Sequence, residues 1–300
     1  MIQPALQDDA FLADVAAVDP AADGFSLWWL GQSGFLIQWM SHRILLDPYL
    51  SDSLTEKYAA TDKPHVRMTA RVVDPARLVG IDAVTASHVH TDHLDPQTLQ
   101  PLCRANPAIR LICPESIRAG ARTRSGLPDN RITGLDFPVA VPPSPLISPG
   151  VFVPESTSVG PFEIHAVPAA HERLDRDADG RLIALGFVVR FGPWTVYHSG
   201  DTMPYPGMEE LLRKQGIDLA LLPINGRAPE RRVAGNLWGR EAAHLAQAIG
   251  ARWVIPCHYD QFEFNTATPD EFVASCRELG QVFSVLQAGA RWTPGGGCRS

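Results

Sequence analysis

The segment SHVHTDHLD, residues 87–95, is the most informative stretch of this 300-residue chain. It places four good metal ligands within six residues, namely His88, His90, Asp92 and His93. The apolar run IDAVTAS precedes the segment and predicts a strand, and a helix signal follows it. A loop at such a junction can turn two of the ligands to one side and two to the other. This arrangement suits two neighbouring cations better than one.

The donor set indicates which cations would bind. Imidazoles and a carboxylate without a thiolate favour zinc, manganese or iron in a reactive site over a structural cysteine-type zinc. The alternative is that surface histidines cluster here by chance. A chain with ten histidines in 300 residues would rarely form such a cluster by chance. The segment therefore predicts a metal site.

Further ligands are predicted where three later apolar runs end. His171 follows FEIHAV, Asp201 follows WTVY within HSGDT, and His258 follows WVI. Each alone has an ordinary explanation, as a loop histidine, a turn residue and a core histidine. The recurrence of the pattern is the argument, since a sheet delivers side chains to one edge where its strands end.

Composition excludes several classes of protein. The chain is 45% hydrophobic and 20% charged, as ordinary globular domains are. Its formal net charge of −7 argues against a nucleic-acid partner. No apolar run reaches the roughly 18 to 20 residues of a membrane span, and the acidic N-terminus does not resemble a signal peptide. Five scattered cysteines indicate a reducing cytoplasm.

The remaining patterns predict interleaved strands and helices, and hence sheets covered by helices. Apolar runs predict strands, which are 25–30, 34–40, 43–47, 81–87, 109–114, 162–168, 182–191, 194–200, 218–224, 253–258 and 282–287. Amphipathic runs predict helices, which are 95–105, 114–126, 208–216, 240–250 and 269–279.

Some segments need their own interpretation. Asp95 and Pro96 are expected to cap the first of the predicted helices, and Thr268 is expected to form a capping box with Glu271. Residues 51–75 are expected to be a long loop. The proline-rich segment 141–150 is expected to be a stiff crossing between strands.

The ligand pattern resembles that of the metallo-β-lactamase-fold superfamily. The phrases WWLGQSGFLI, ILLDPYL, YHSGDT, LLPING and VIPCHYDQF are similar to the branch that contains L-ascorbate-6-phosphate lactonase and related metal-dependent hydrolases. The likeness runs from about Phe25 to about Trp292. It implies an α+β fold, an αββα sandwich of two central mixed sheets with helices on the outer faces. The composition of residues 1–24, rich in alanine and aspartate, predicts an N-terminal arm (a short helix or a loose arm), and the resemblance implies one hydrolase domain over residues 25–300.

The resemblance also implies roles for the ligands, with two divalent ions, zinc or manganese, although iron also fits. The implied ligands of the first ion are His88, His90 and His171. Those of the second ion are Asp92, His93 and His258, and Asp201 is the implied bridging carboxylate. Asp92 and Asp201 are the predicted catalytic residues, Asp92 by holding the proton of a metal-activated hydroxide.

Residues around the ligands carry less certain expectations, and alternatives stay open for each. Arg227 is the first candidate to bind a substrate phosphate, and Arg231 and Arg232 fit a solvated charge run slightly better. Other candidates for the substrate pocket are Arg67, His65, Tyr259 and Asn265. Asp47 is expected to brace the ligand loop. Gln32 fits either a structural turn or a place facing the metals, and His165 and His198 fit either support of the ligands or core packing.

The function that this pattern favours is hydrolysis of a small anionic molecule, a lactone, an ester or a phosphodiester. A sugar-phosphate lactone comes first by analogy with the branch. One alternative is an iron-dependent redox or thiol-handling enzyme of the same fold, and another is a non-catalytic metal-binding module. Self-association is an expectation from the branch alone.

Overall fold

The computed structural model describes residues 1–137 and 155–299, and the predicted crossing at 141–150 lies outside them. The described strands follow in chain order: β1 (Ser26–Gly31), β2 (Gly34–Trp39), β3 (His42–Leu46), β4 (Ala83–Thr85), β5 (Arg110–Pro114), β6 (Ile132–Leu135), β7 (Ser156–Val159), β8 (Phe162–Pro168), β9 (Leu185–Phe191), β10 (Trp194–His198), β11 (Leu219–Pro223), β12 (Trp253–Cys257), β13 (Arg291–Thr293) and β14 (Gly297–Arg299). The described α-helices are α1 (Asp8–Ala16), α2 (Ser53–Tyr58), α3 (Pro96–Ala105), α4 (Arg118–Ser125), α5 (Met208–Arg213), α6 (Gly239–Ala248) and α7 (Asp270–Leu279).

The strands form two mixed sheets. The first has the order β14-β13-β1-β2-β3-β4-β5-β6, and its pairs from β3 to β6 are parallel. The second has the order β12-β11-β10-β9-β8-β7, and its pairs from β10 to β12 are parallel. This architecture confirms the predicted α+β sandwich.

Aromatic side chains join the two sheets across the core. Phe25, just before β1, meets Phe191 of β9 edge to face, with ring centroids 5.2 Å apart. Trp39 of β2 contacts the same Phe191 at 5.8 Å. One hydrophobic cluster contains buried residues from both sheets, so burial of apolar surface is what holds the sandwich together.

Part of the N-terminal segment is a helix that packs on this core. Phe11 and Val15 of α1 are buried in the hydrophobic cluster. The Trp28 indole Nε1 donates to Asp14 Oδ2 at 2.8 Å, which fixes the helix against β1. The first residues therefore contribute to the core and not to the ligand cluster.

Three local expectations were wrong. Residues 282–287 are not a regular strand: Phe283 makes one bridge to Val254, and in the rest of the segment Val282 and Val285 are exposed while Leu286 is buried. The expected loop 51–75 contains helix α2. Thr268 forms no capping box, because Pro269 occupies the N-cap position in a helical conformation and the Thr268 hydroxyl donates to Asp270.

The fold places the chemistry at one edge of the sandwich. The ligand segment follows β4, and the Asp95 carboxylate caps α3 by accepting from the Thr98 backbone N–H at 2.8 Å, as predicted. His171, Asp201 and His258 follow strands β8, β10 and β12 of the other sheet. Among the described residues, no helix is long and apolar enough to cross a membrane.

Candidate metal centre

Seven side chains from four loops meet at this edge in two groups. One group consists of His88, His90 and His171, and the other of Asp92, His93, Asp201 and His258. Within each group, the potential ligand atoms all lie within 4.8 Å of one another. These are the seven residues that the sequence analysis named. The two groups match the two ligand sets that the resemblance implied, and Asp201, the implied bridging residue, falls in the second group.

The three imidazoles of the first group direct ring nitrogens towards one another. His171 Nδ1 donates to the Gly235 carbonyl at 2.9 Å, so its Nε2 carries a lone pair, and this Nε2 lies 3.1 Å from His90 Nδ1. His88 Nε2 is buried without a hydrogen-bond partner. Burial is the main reason that the pKa of His88 is held well below its usual value, with the nearby His93 adding to it. Neutral imidazoles with free lone pairs are what a cation binds.

Asp201 lies between the two groups. Its Oδ1 is 3.3 Å from His93 Nε2, and its Oδ2 is 3.2 Å from His258 Nε2 and 3.7 Å from His171 Nε2. Asp92 Oδ2 completes the second group at 3.6 Å from His258 Nε2. A carboxylate in this position can contact cations held by either group.

The carboxylates of the second group need positive charge nearby. Burial disfavours the ionised form of Asp201, yet the adjacent His258 and His93 hold its pKa well below the usual value. Burial likewise opposes the charged form of His258, but Asp201 and Asp92 raise its pKa to about 9. Protons on imidazoles thus compensate these two carboxylates, a charge that divalent cations can supply instead. This charge balance and the unpartnered nitrogens fit a two-cation site.

Asp47 braces the ligand loop, as predicted, and is fully buried. Its Oδ2 accepts from His93 Nδ1 at 2.7 Å, and its Oδ1 accepts from the Thr85 hydroxyl at 2.8 Å. Both oxygens lie 3.1 Å from the Ser87 backbone N–H. The contact to Nδ1 leaves Nε2 as the His93 nitrogen that faces the cluster, where a cation can replace its proton.

Gln32 proves to be both a turn residue and a neighbour of the ligands. It has a φ of +49° in the turn between β1 and β2, directly after Gly31, whose φ is also positive. Its Nε2 donates to Asp92 Oδ2 at 2.7 Å and lies 3.0 Å from His258 Nε2. Its backbone carbonyl accepts from the His258 N–H at 2.9 Å. The turn therefore orients two residues of the second group.

A chain of amides behind Asp201 was missed by the sequence analysis. Asn236 Nδ2 donates to Asp201 Oδ2 and lies equally close, at 3.0 Å, to Asn225 Oδ1. Asn225 Nδ2 in turn donates to Asn265 Oδ1 at 3.0 Å. Asn265 was predicted only as a substrate residue and Asn225 lies in the phrase LLPING, but nothing in the sequence pointed to Asn236.

The two histidines with open roles lie in different places. His198 is buried, its Nε2 donates to the Ser33 carbonyl at 2.8 Å, and its ring contacts Phe35, so it ties β10 to the Gln32 turn. His165 is paired with Glu163 at 3.1 Å, on β8. His198 supports the site indirectly, and His165 belongs to the strand surface.

A cavity of about 390 Å³ opens over the ligands, and it contains two of the five predicted substrate residues, His65 and Asn265. The other three are engaged elsewhere. Arg227 forms a bidentate pair with Glu241, at 2.6 and 2.7 Å. Arg67 pairs with Asp52, and the Tyr259 hydroxyl donates to a backbone carbonyl while its ring stacks on Trp29. The structure therefore does not place Arg227, Arg67 or Tyr259 in the cavity lining.

The cavity has two chemically different walls. Tyr58 and His65 stack at 4.2 Å, and Phe262 meets His65 edge to face at 5.2 Å, forming an aromatic wall. The cationic lining residues are Lys57, Arg124 and Arg232. The cavity can thus accommodate a small molecule with an apolar part and a negative charge.

Comparisons with known proteins place the fold and the site in context. A family model described as a β-lactamase superfamily domain matches residues 42–259, more than half of the chain. A UPF0173 metal-dependent hydrolase of Opitutus terrae is 29% identical over 269 residues, 88% of this chain and 97% of the relative. A protein of the same name from Rubrobacter xylanophilus is 37% identical, but over only 42% of this chain and 52% of the relative.

A solved structure has the same fold. Igni18, a metallo hydrolase from the archaeon Ignicoccus hospitalis, superposes with a TM-score of 0.60 at 22% identity. The alignment covers 90% of this chain and 97% of the other.

Proposed function

The chain belongs to the metallo-β-lactamase-fold superfamily, and from that premise we propose that it is a metal-dependent hydrolase with a dinuclear centre. The observation that carries the proposal is the convergence of seven side chains on two adjacent groups, with Asp201 between them. Relatives named as metal-dependent hydrolases support it. A chance cluster of surface histidines would not bury an unpartnered nitrogen such as His88 Nε2.

The proposed ligands follow the two groups. His88, His90 and His171 hold the first cation. Asp92, His93 and His258 would hold the second, and Asp201, which lies beside ligands of both groups, would be available to either cation. Zinc or manganese suits a set of imidazoles and carboxylates, and iron binds the same donors.

The chemistry follows from the donors that surround the cations. A bound divalent cation lowers the pKa of water to about 7 and polarises an oxygen of the substrate. Asp92 is placed to hold the nucleophile's proton, because its Oδ2 is fixed by Gln32 and its side chain is still 15% exposed. The Asp201 side chain is more deeply buried, with only 4% exposed, and it lies beside ligands of both groups. Asp47 keeps His93 in the tautomer that ligation needs.

The proposed substrate is a small anionic lactone, ester or phosphodiester. Its support is the size of the cavity, about 390 Å³, together with the aromatic wall and the cationic side chains on the lining. We also propose a reducing, cytoplasmic location, which the four buried free cysteines support: Cys103, Cys113, Cys257 and Cys276.

The test combines metal analysis with a substrate screen. Protein purified without added metal is analysed for zinc, manganese and iron, and is then assayed against lactones, carboxylic esters, phosphodiesters and sugar phosphates. We expect hydrolysis of at least one class by wild type and loss of that activity, with lower metal content, in His90→Ala. His42→Ala is the matched control, because His42 pairs with Asp82 away from the cluster. Equal activity of His90→Ala and wild type would refute the assignment.

A further inference from the structure

The cationic side chains that line the cavity differ in how far neighbouring groups neutralise their charge. Arg232 pairs with Asp62, and both side chains are exposed. Lys57 is exposed on α2, with its Nζ 5.0 Å from the Tyr58 ring. Arg124, in the last turn of α4, is half-buried and pairs with no carboxylate in the described part of the chain. Lys57 likewise pairs with no described carboxylate, but its side chain is exposed to solvent, so Arg124 is the unpaired lining cation whose charge is least screened.

The hydrogen bonds of Arg124 determine which of its donors remain free. Its Nη1 donates to the backbone carbonyls of Val89 and Leu94, at 2.6 and 3.2 Å. A guanidinium has five N–H donors in a planar fork, and Nη1 carries two of them. Within residues 1–137 and 155–296, no group accepts from Nε or Nη2. These two nitrogens form one edge of the fork, the edge that binds a carboxylate or a phosphate through two parallel hydrogen bonds.

The position of Arg124 links this edge to the reactive site. Val89 and Leu94 belong to the ligand loop, one between His88 and His90 and the other just after His93. Because two carbonyls of this loop hold Nη1, the guanidinium is fixed relative to the ligands before any substrate binds. Arg124 also shares the cavity with His90, Thr91 and Asp92.

We propose that Arg124 is the anion-binding residue of the cavity and that the substrate carries an oxyanion, a carboxylate or a phosphate, outside the bond that is hydrolysed. This inference rests on the proposed function for the meaning of the cavity. It replaces Arg227 as the first candidate for the substrate anion, because Glu241 already neutralises Arg227. The rest of the substrate packs against the aromatic wall of Tyr58, His65 and Phe262.

The test measures anion binding without turnover. Inorganic phosphate and succinate are titrated separately into zinc-loaded protein by isothermal titration calorimetry. Arg124→Met is expected to weaken at least one anion by about 10- to 100-fold, the loss typical of a charge-assisted hydrogen-bonded pair. Arg124→Lys keeps the charge without the fork and is expected to fall between wild type and Arg124→Met. The control is Arg122→Met, on an exposed position of the same helix, with affinities within about twofold of wild type.

The pattern of losses identifies the anion and separates this inference from the hydrolase proposal. A loss for phosphate alone assigns a phosphate, and a loss for succinate alone assigns a carboxylate. The inference is overturned if neither anion binds wild type at millimolar concentration. It is also overturned if the affinities of Arg124→Met for the anions are within twofold of wild type.

Kinetics then show whether the role is one of binding or of structure. The esters 4-nitrophenyl acetate and 4-nitrophenyl hemisuccinate differ by one carboxymethyl group and hence by one negative charge. A binding role predicts that Arg124→Met raises KM for the charged ester only and leaves the metal content unchanged. Equal loss for both esters, with lower metal content, would mean that Arg124 merely holds the ligand loop. Absence of hydrolysis by wild type would count against the hydrolase proposal and leave the calorimetric result standing.

Discussion

Removal of the Asp47 carboxylate should weaken metal binding although Asp47 is not a proposed ligand. Its two oxygens accept from three donors, at His93, Ser87 and Thr85, and the side chain is fully buried. Asp47→Ala leaves the Ser87 N–H unpaired and the Nδ1–H of His93 with only the Ser87 hydroxyl 3.3 Å away, at about 1–3 kcal/mol each. The free energy of unfolding should therefore fall by about 2–5 kcal/mol. Loss of a partner that orients a ligating imidazole should lower zinc affinity by about 10- to 100-fold.

Asp47→Asn should be milder for a geometric reason. One orientation of the amide keeps an oxygen against His93 Nδ1 and turns its NH₂ towards the Thr85 hydroxyl, which can accept. Zinc affinity is measured by competition with a chromophoric chelator, and stability by urea denaturation of the metal-free protein. Asp82→Ala is the matched control, since Asp82 accepts from the Arg43 N–H beside His42 but outside the cluster. Unchanged zinc affinity in Asp47→Ala, or an equal loss in Asp82→Ala, would refute the reasoning.

Three further predictions concern the amides, an ion pair and the N-terminal helix. Asn236→Ala removes the donor to Asp201 Oδ2 and should lower zinc affinity about 10-fold by chelator competition, and an unaffected affinity would deny it that role. Glu241→Gln should cost about 1 kcal/mol at pH 7. Burial raises the pKa of Glu241, but Arg227 lowers it overall, so the stability that this pair adds is present above about pH 4.5 and lost as the pH falls further. The difference in free energy of unfolding between Glu241→Gln and wild type, measured by urea denaturation, should therefore shrink in acid. A difference that stays constant with pH would contradict this. Phe11→Ala should destabilise the protein by about 3–5 kcal/mol with full zinc affinity, because Phe11 is buried in the core away from the ligands, and a stable variant would mean that α1 does not contribute to the core.

The sequence predicted the seven clustered residues because their signals are local. A polar ligand soon after an apolar strand is a local signal in each segment, as at His171 and His258, and the recurrence of that signal made the prediction. The two sheets then supply the convergence, since the ligand loops follow β4 of the first sheet and β8, β10 and β12 of the second. Four neighbouring ligands in residues 88–93 needed no long-range information at all.

What could not be predicted depends on partners far away in the chain. The pairing of Arg227 with Glu241 spans 14 residues, and it determines that this arginine is not free for a substrate. Asn236 reaches Asp201 across 35 residues of unremarkable sequence. Arg124, on a short helix, gains its place from carbonyls 30 to 35 residues earlier.

The wrong prediction of a strand at 282–287 has a different cause. Its composition is apolar, but Val282 and Val285 are exposed, and the segment makes a single bridge to β12 at Phe283. Phe283 packs against Phe272 of α7, so side-chain packing and not sheet pairing retains the segment. A short apolar run does not distinguish these outcomes.

Anomalous diffraction at the zinc edge, from crystals of zinc-loaded protein, tests the dinuclear centre most directly. Two peaks are predicted, one contacting His88, His90 and His171, and the other contacting Asp92, His93 and His258, with Asp201 against both. A single peak, or zinc bound away from these seven side chains, would contradict the account.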